Sequence, residues 1–203
     1  MTYYQIKNYI TTPPIFEGDF KTFSYCLEQA VADNITLRYA DLRHQDLSSA
    51  NLDGAIITNS TFSGSNLMGA NLSEANLSHS TFHNCDLQAT CLSYSNLNKC
   101  DFRGALFGAT LINNTSMEKA KFSTLSCFDL DFFSVTNMDG STFSNDHDEI
   151  YEMSHSPIVI KGLLNTPVII LDKYIKIGSE VFSKAHLPQL TNVLAVYSAK
   201  ISA

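Results

Sequence analysis

A bulky apolar residue recurs at every fifth position along more than a third of this chain. The series keeps one phase through eighteen consecutive members, which are Leu37, Leu42, Leu47, Leu52, Ile57, Phe62, Leu67, Leu72, Leu77, Phe82, Leu87, Leu92, Leu97, Phe102, Phe107, Ile112, Met117 and Phe122. A period of five fits neither the 3.6-residue period of a helix nor the two-residue period of a strand. The repeat therefore indicates a chain that turns regularly, rather than a succession of simple helices or strands.

A small residue stands two positions before most of the bulky ones, and Asn or Asp often stands between the two, as in Ala-Asp-Leu at 40–42 and Ala-Asn-Leu at 50–52. Over about residues 35–144 this A-(D/N)-L-x-x pattern resembles the pentapeptide-repeat family. The resemblance implies a right-handed, four-sided coil with one pentapeptide on each side, in which the bulky and the small residues point inward. A right-handed sense also agrees with the general rule for parallel crossovers.

The four-sided geometry makes a prediction of its own, because residues twenty positions apart should then lie above one another. Phe62, Phe82, Phe102 and Phe122 obey this spacing, and their rings should stack in one column. A one-residue insertion follows Phe122, after which Phe128, Phe133, Met138 and Phe143 continue the count. We therefore expect a local bulge, with the columns preserved beyond it. Gln45 and Asp131 occupy positions for small residues, and a buried Asp131 would need hydrogen-bond partners.

The predicted fold class is an all-β solenoid, a right-handed quadrilateral β-helix with a short N-terminal helical cap and a small C-terminal β-hairpin plus helix. The hairpin should turn at 171–173, and the C-terminal helix should begin near Pro188. The wording of residues 162–178 is similar to tails on some bacteriophage pentapeptide-repeat proteins. The predicted segments are an N-terminal cap at 1–34, the repeats at 35–144, an acidic linker at 145–156, and the C-terminal strands and helix at 157–203.

The residues that usually carry chemistry show no catalytic or metal-binding pattern. His79 and His83 are four apart, but on a solenoid they fall on adjacent sides. Five cysteines without framework spacing suggest free thiols in a reducing cytoplasm. The first ten residues do not resemble a secretory signal, and no apolar run is long enough to span a membrane. We expect a cytoplasmic protein that is not an enzyme and needs no cofactor.

The net charge of the chain restricts the kinds of partner that it can bind. The chain has 20 acidic and 13 basic residues, a formal net charge of −7, so direct binding to nucleic acid is not expected. The resemblance implies one known activity, the imitation of DNA by acidic rods that bind DNA gyrase. Residues 35–144 carry a net charge of −4. A duplex as long as the predicted rod of about 26 Å would carry about 15 phosphates.

The sequence favours a non-enzymatic protein-binding solenoid from a phage or bacterium. It would inhibit a host enzyme that handles DNA, such as a topoisomerase, a restriction enzyme or a defence nuclease. The alternative is a generic protein scaffold, or a secreted bacterial effector, that uses an apolar patch. A homodimer through the C-terminal segment is a further possibility. The candidate partner-binding residues are Asp41, Asp46, Asp86, Tyr94, Asp101, Leu106, Leu111, Asp146, Asp148 and Glu149. The last three form an acidic run, and the alternative interpretation of this run is a solvated loop without a binding role.

Overall fold

The centre of the molecule is a stack of twenty-residue turns. The computed structural model describes residues 1–145, 147, 149–161, 166–178 and 180–186 of the 203-residue chain. Parallel bridges join residues twenty apart in four columns, which begin at Asp41↔Thr61, Asp46↔Asn66, Asn51↔Asn71 and Ile56↔Asn76. Backbone hydrogen bonds run from each turn to the next: Leu42 N donates to Thr61 O at 2.8 Å, and Thr61 N donates to Ala40 O at 3.1 Å. The period of five therefore places one pentapeptide in each column per turn.

The four columns define four sides, which are named here by their inward residues. Side 1 contains Leu42, Phe62, Phe82, Phe102 and Phe122; side 2 contains Leu47, Leu67, Leu87 and Phe107; side 3 contains Leu52, Leu72, Leu92 and Ile112; side 4 contains Leu37, Ile57, Leu77, Leu97 and Met117. All of these side chains are buried in one core. The residue two positions after an inward one usually turns the corner with a positive φ, as Gly64 does at +72° and Asn84 at +54°.

The predicted column of phenylalanines is confirmed on side 1. Adjacent rings are stacked, with centroids 4.7 Å apart for Phe62 and Phe82, 5.0 Å for Phe82 and Phe102, and 5.3 Å for Phe102 and Phe122. The angles between successive ring planes are 17° or less. Buried hydroxyls complete the wall: Ser60 Oγ donates to Leu37 O and accepts from Ala40 N, both at 2.9 Å. Small residues at this position therefore leave room for the turn and also satisfy backbone groups.

The insertion after Phe122 changes the backbone more than a bulge would. Residues Leu125–Asp129 and Phe132–Ser134 form short 3₁₀ helices. Phe132 is only 3% exposed, whereas Phe133 is 77% exposed, so the prediction that Phe133 points inward is wrong. The second 3₁₀ helix shifts the phase by one residue and leaves Asp131 exposed, so no carboxylate is buried there. The columns resume afterwards, as predicted, at the bridge between Ser116 and Asn137.

Strands and a helix pack on the N-terminal end of the turns. β1 (Thr2–Asn8) pairs antiparallel with β2 (Phe16–Phe20) and with β3 (Ala40–Asp41), which belongs to side 1. Helix α1 (Phe23–Ala32) begins where Thr22 Oγ1 accepts a hydrogen bond from Tyr25 N at 3.3 Å. It buries Cys26, Leu27 and Ala30 in the core of the turns. The predicted helix is present, and a strand pair accompanies it.

The C-terminal end of the turns is covered by two small sheets. β4 (Lys121–Phe122) pairs parallel with β5 (Thr142–Ser144), which pairs antiparallel with β6 (Ile150–Glu152). The segment predicted as an acidic linker therefore contains a strand, because the free edge of β5 offers backbone partners to residues 150–152. Residue Met153 that follows is fully buried.

An antiparallel sheet of four strands follows in the order β10–β9–β8–β7: β7 (Ile158–Ile160), β8 (Val168–Ile170), β9 (Tyr174–Ile177) and β10 (Glu180–Ser183). β8 and β9 form a hairpin around residues 171–173, where the sequence predicts one. The predicted helix after Pro188 lies outside the described residues. In the part of the chain that the structure describes, no helix is both long and apolar enough to cross a membrane.

Candidate protein-binding surface

The charges of the turns separate by side. All six basic residues between positions 35 and 122 lie on sides 1 and 4; they are Arg38, Arg43, Lys99, Arg103, Lys119 and Lys121. Sides 2 and 3 contain no Lys or Arg over the same positions, but they carry Asp46, Asp53, Glu74 and Asp86. These four residues are called the acidic surface below. Every charged residue on these two adjoining sides of the turns is thus acidic.

The predicted candidates Asp41 and Asp101 lie on side 1, where their charges are neutralised by the chain itself. Asp41 Oδ2 lies 2.6 Å from Arg43 Nη2, and Asp101 Oδ2 lies 2.6 Å from Arg103 Nη2. His83 Nε2 is 3.0 Å from Asp101 Oδ1. Partial burial alone would raise the pKa of Asp101, but the hydrogen bonds from Arg103 and the nearby His83 side chain outweigh this effect, so the pKa is lowered. These two aspartates are poorly suited to attract a basic partner.

The acidic surface behaves differently, because three of its four carboxylates accept hydrogen bonds from neutral groups. Asp46 accepts from Ser48 N at 3.1 Å, Asp53 from Ser73 Oγ at 2.6 Å, and Asp86 from Gln88 N at 3.0 Å. Among the described residues, none of the four carboxylates forms an ion pair. Hydrogen bonds from Ser48 lower the pKa of Asp46 despite the opposing effect of desolvation. The negative charge of this surface therefore remains available to a partner.

Local charge density on the acidic surface is higher than the net charge of the repeats suggests. Its four carboxylates span three turns, which is about 10 Å at the usual spacing between strands. A DNA duplex of that length carries about six phosphate charges over both strands. Helix α1 adds Glu28, whose Oε1 accepts from Asn51 N of side 3 at 2.7 Å. The whole rod is a poor match to DNA, but these two sides approach its charge density.

Exposed apolar side chains lie on the same two sides, beyond the acidic surface. Leu106 follows Asp86 in the column of side 2, and Leu111 follows Cys91 in the column of side 3. The 3₁₀ helices add two more exposed residues, Leu125 and Phe133. Leu125 lies near side 2, because its neighbour Thr124 donates a hydrogen bond to Ala105 O. Phe133 lies near side 3, because the carbonyl of its neighbour Ser134 accepts from Asn114 N at 2.7 Å. Leu106, Leu111 and Leu125 are between 48% and 55% exposed. These four residues are called the apolar end.

The remaining predicted candidates lie in different parts of the molecule. Tyr94 lies on side 3 between the acidic surface and the apolar end, and it is 64% exposed. Glu149 lies instead beside β6 at the C-terminal end, where hydrogen bonds from Tyr151 and Asn145 lower its pKa. Asp146 and Asp148 lie outside the described residues. Sequence reasoning missed Leu125 and Phe133 as surface residues because both lie in the 3₁₀ helices, where the period of five does not determine which side chains point outward.

The groups capable of covalent or metal chemistry are either buried or scattered. Burial raises the pKa of the Cys85 thiol to about 11 and that of Cys100 to about 12. Across the described ranges, no three His, Cys, Asp or Glu side chains cluster so that they could hold a metal ion. Cys91 points outward on side 3 and is partly buried. The arrangement can present charge and apolar area to a partner.

Comparison with solved structures finds several pentapeptide repeat proteins. One is Rfr23 from the cyanobacterium Cyanothece 51142, 31% identical over 41% of this chain and 57% of that protein, with a TM-score of 0.41. A second is alr5209 from Nostoc Pcc 7120, 21% identical over 58% of this chain and 93% of that protein, with a TM-score of 0.34. A third is QnrB1, a plasmid-mediated fluoroquinolone resistance protein, 18% identical over 54% of this chain and 84% of that protein, with a TM-score of 0.21. This chain thus spans little more than half the length of Rfr23.

No curated protein matches this chain. A family model described as a pentapeptide repeat region matches residues 35–109 and 55–146, which together make up more than half of the chain. The matched residues are the stacked turns that carry the acidic surface and the apolar end. The protein belongs to the pentapeptide repeat family.

Proposed function

We propose that this protein is a non-enzymatic binding module that docks on the basic surface of an enzyme that handles DNA, and that it inhibits the enzyme by occupying that surface. One observation carries the proposal: the unpaired acidic residues of the turns lie on two adjoining sides that hold no basic residue. Enzymes that bind DNA present Lys and Arg to its phosphates. Charge complementarity of this kind steers encounter and selects partners.

The apolar end would supply a contact of another kind. Desolvated apolar and aromatic side chains contribute most of the affinity in many interfaces, whereas exposed charges act mainly on the association rate. Leu106 follows Asp86 of the acidic surface in the column of side 2, and Leu111 lies on the adjoining side 3, so that one partner could cover both surfaces. We propose that the acidic surface raises the rate at which the partner associates and that the apolar end contributes most of the affinity.

The test is an inhibition assay with purified enzymes: DNA supercoiling by a topoisomerase, and DNA cleavage by a restriction endonuclease and a defence nuclease. We expect inhibition of at least one of them, weakened about tenfold or more between 50 and 200 mM salt, because several charge pairs are screened. The double variant Glu74→Lys, Asp86→Lys should abolish inhibition. Its control, Glu118→Lys with Asp139→Lys, makes the same change in net charge on side 4 and should inhibit normally.

No inhibition by wild-type protein at a large molar excess over all of these enzymes would reject the proposal. The second candidate function is a generic protein scaffold, and the high exposure of Phe133 favours it. It predicts binding that is insensitive to salt and is lost in Leu106→Glu or Leu111→Glu. The salt series therefore separates the two functions with the same set of variants.

We also propose the handedness of the turns, a cytoplasmic location and a homodimer, as the sequence predicts. The twenty-residue spacing of the bridges supports turns wound as a right-handed quadrilateral β-helix. The five free cysteines suit a cytoplasm, that of the host if the gene belongs to a phage. A homodimer through the C-terminal segment also stays a prediction.

A further inference from the structure

Two tyrosines occupy corners of the turns where the backbone is left-handed. Tyr39 and Tyr94 both have a φ of +62°. A positive φ is the rule at these corners, where residues as different as Glu74, Ala89 and Lys99 adopt it too, so the backbone alone does not distinguish the tyrosines. The two tyrosines differ in what their rings do.

Tyr39 is supported by contacts within the chain. The guanidinium of Arg38 lies 4.7 Å from the centre of the Tyr39 ring, and Arg38 Nη2 donates to the Tyr39 hydroxyl at 2.9 Å. Tyr9 packs edge-to-face against the same ring at 5.8 Å. A tyrosine at this kind of corner therefore offers a face and a hydroxyl to an arginine, and here the chain supplies that arginine itself.

Tyr94 has the same backbone conformation but lacks such support. In the described part of the chain its side chain forms no hydrogen bond and no ring contact, and it is 64% exposed. The residue before it is Ser93 where Tyr39 has Arg38. Glu74 occupies the same corner one turn earlier, and Glu74 N donates to Ser93 O at 2.9 Å, so the carboxylate and the ring belong to neighbouring positions.

We propose that Tyr94 and Glu74 form a receptor for an arginine side chain of the partner protein. The ring supplies a face for the guanidinium, as Tyr39 does for Arg38, and the Glu74 carboxylate supplies the opposite charge. The planar guanidinium stacks on an aromatic face better than an ammonium does, which favours arginine over lysine. This receptor rests on the proposed function, since it names one anchor of the same docking surface.

The experiment is a titration of the labelled protein with a hexa-arginine peptide, followed by NMR at low salt and pH 7.5. We expect the amide signals of Ser93, Tyr94 and Glu74 to shift, and a hexa-lysine peptide to bind more weakly. Tyr94→Asn, which suits the left-handed backbone, and Glu74→Gln should each raise the Kd for hexa-arginine about threefold. Two matched controls lie on side 4: His79→Asn, also at a left-handed corner, and Glu118→Gln, which makes the same charge change. Both should leave the Kd unchanged.

Thermal unfolding of the same variants separates binding from support of the fold. Tyr94→Asn should not lower the Tm, whereas Tyr39→Asn should lower it, because the latter loses the contacts with Arg38 and Tyr9. An unchanged Kd in Tyr94→Asn, or equal weakening in Glu118→Gln and Glu74→Gln, would overturn the receptor. Peptide binding that depends on Tyr94 without inhibition of any enzyme would instead leave the receptor standing and remove the proposed function.

Discussion

Side 1 and side 3 belong to the same turns, yet their outward acidic residues have different surroundings. On side 1 the acids Asp41 and Asp101 are each bound by the arginine two residues later, and the core behind them is a column of stacked phenylalanines. On side 3 the acids Asp53 and Glu74 have no cationic partner among the described residues, and Tyr94 and Leu111 extend into solvent. Side 1 pairs these charges within the chain, whereas the acids of side 3 have no cationic partner in the described residues, and we propose that a partner protein supplies one.

The strongest test of this contrast removes a ring from the column of side 1. Phe82 stacks between Phe62 and Phe102 and is fully buried, so Phe82→Ala should lower the free energy of unfolding by about 3–5 kcal/mol. Urea unfolding followed by circular dichroism measures the loss. The control Leu111→Ala changes an exposed side chain of side 3 and should stay within about 0.5 kcal/mol of wild type.

If Phe82→Ala does not fold, Phe82→Leu keeps the apolar bulk and should lose less than about 1.5 kcal/mol. Equal losses in Phe82→Ala and Leu111→Ala would refute the contrast between the two sides. That result would mean that the outer surface of side 3 also stabilises the turns.

Thiol reactivity should distinguish inward from outward positions on these sides. Cys85 and Cys100 point inward with pKa values of about 11 and about 12, whereas Cys91 points outward on side 3. At pH 8 a disulfide reagent should modify Cys91 rapidly and Cys85 and Cys100 at least ~100-fold more slowly, because the thiolate is the reacting form. Peptide mapping identifies the modified sites, and in urea all five thiols should react. Rapid modification of Cys85 in the native protein would contradict the assigned sides.

A smaller effect is expected from breaking one ion pair of side 1. The lowered pKa of Asp101 means that its contribution to stability is present above the unfolded pKa of about 3.9 and is lost as the pH falls through the lower folded value. Asp101→Asn should therefore lower the free energy of unfolding by about 1 kcal/mol at pH 7. The difference from wild type should shrink toward pH 3, measured by urea unfolding at both pH values.

Glu74→Gln is the matched variant on side 3. It removes an acid that has no ion pair among the described residues, so its stability should equal that of wild type at both pH values. If Glu74→Gln were as destabilising as Asp101→Asn, Glu74 would have a supporting role within the fold, and the acidic surface would lose one of its four members.

The period of five predicted most of the fold, because each inward residue and its side follow from counting in fives and twenties. The same count places Leu106 and Leu111 together on adjoining sides. It could also have separated acidic from basic sides, since that division needs only the positions of the charges. It could not predict that Arg43 and Arg103 turn back onto Asp41 and Asp101, because that depends on side-chain conformation.

The five-residue period could not predict the structure of segments that do not follow it. Phe132 and Phe133 are adjacent, and only the 3₁₀ helix decides which of them is buried. β6 was missed because its three residues carry little pattern, and their pairing depends on the edge that β5 offers. Local sequence cannot show which edges remain open at the end of a stack.

The strands at the two ends of side 1 run opposite to the turns that they cover, with β1 antiparallel to β3 and β6 antiparallel to β5. An uncovered end would be a template on which the first turn of another molecule could continue in register, and the stack could then grow into a filament. A reversed strand offers the wrong polarity for that continuation. The reversed strands thus end the stack on this side, and we expect the protein not to grow into filaments at high concentration although its repeat could continue without limit.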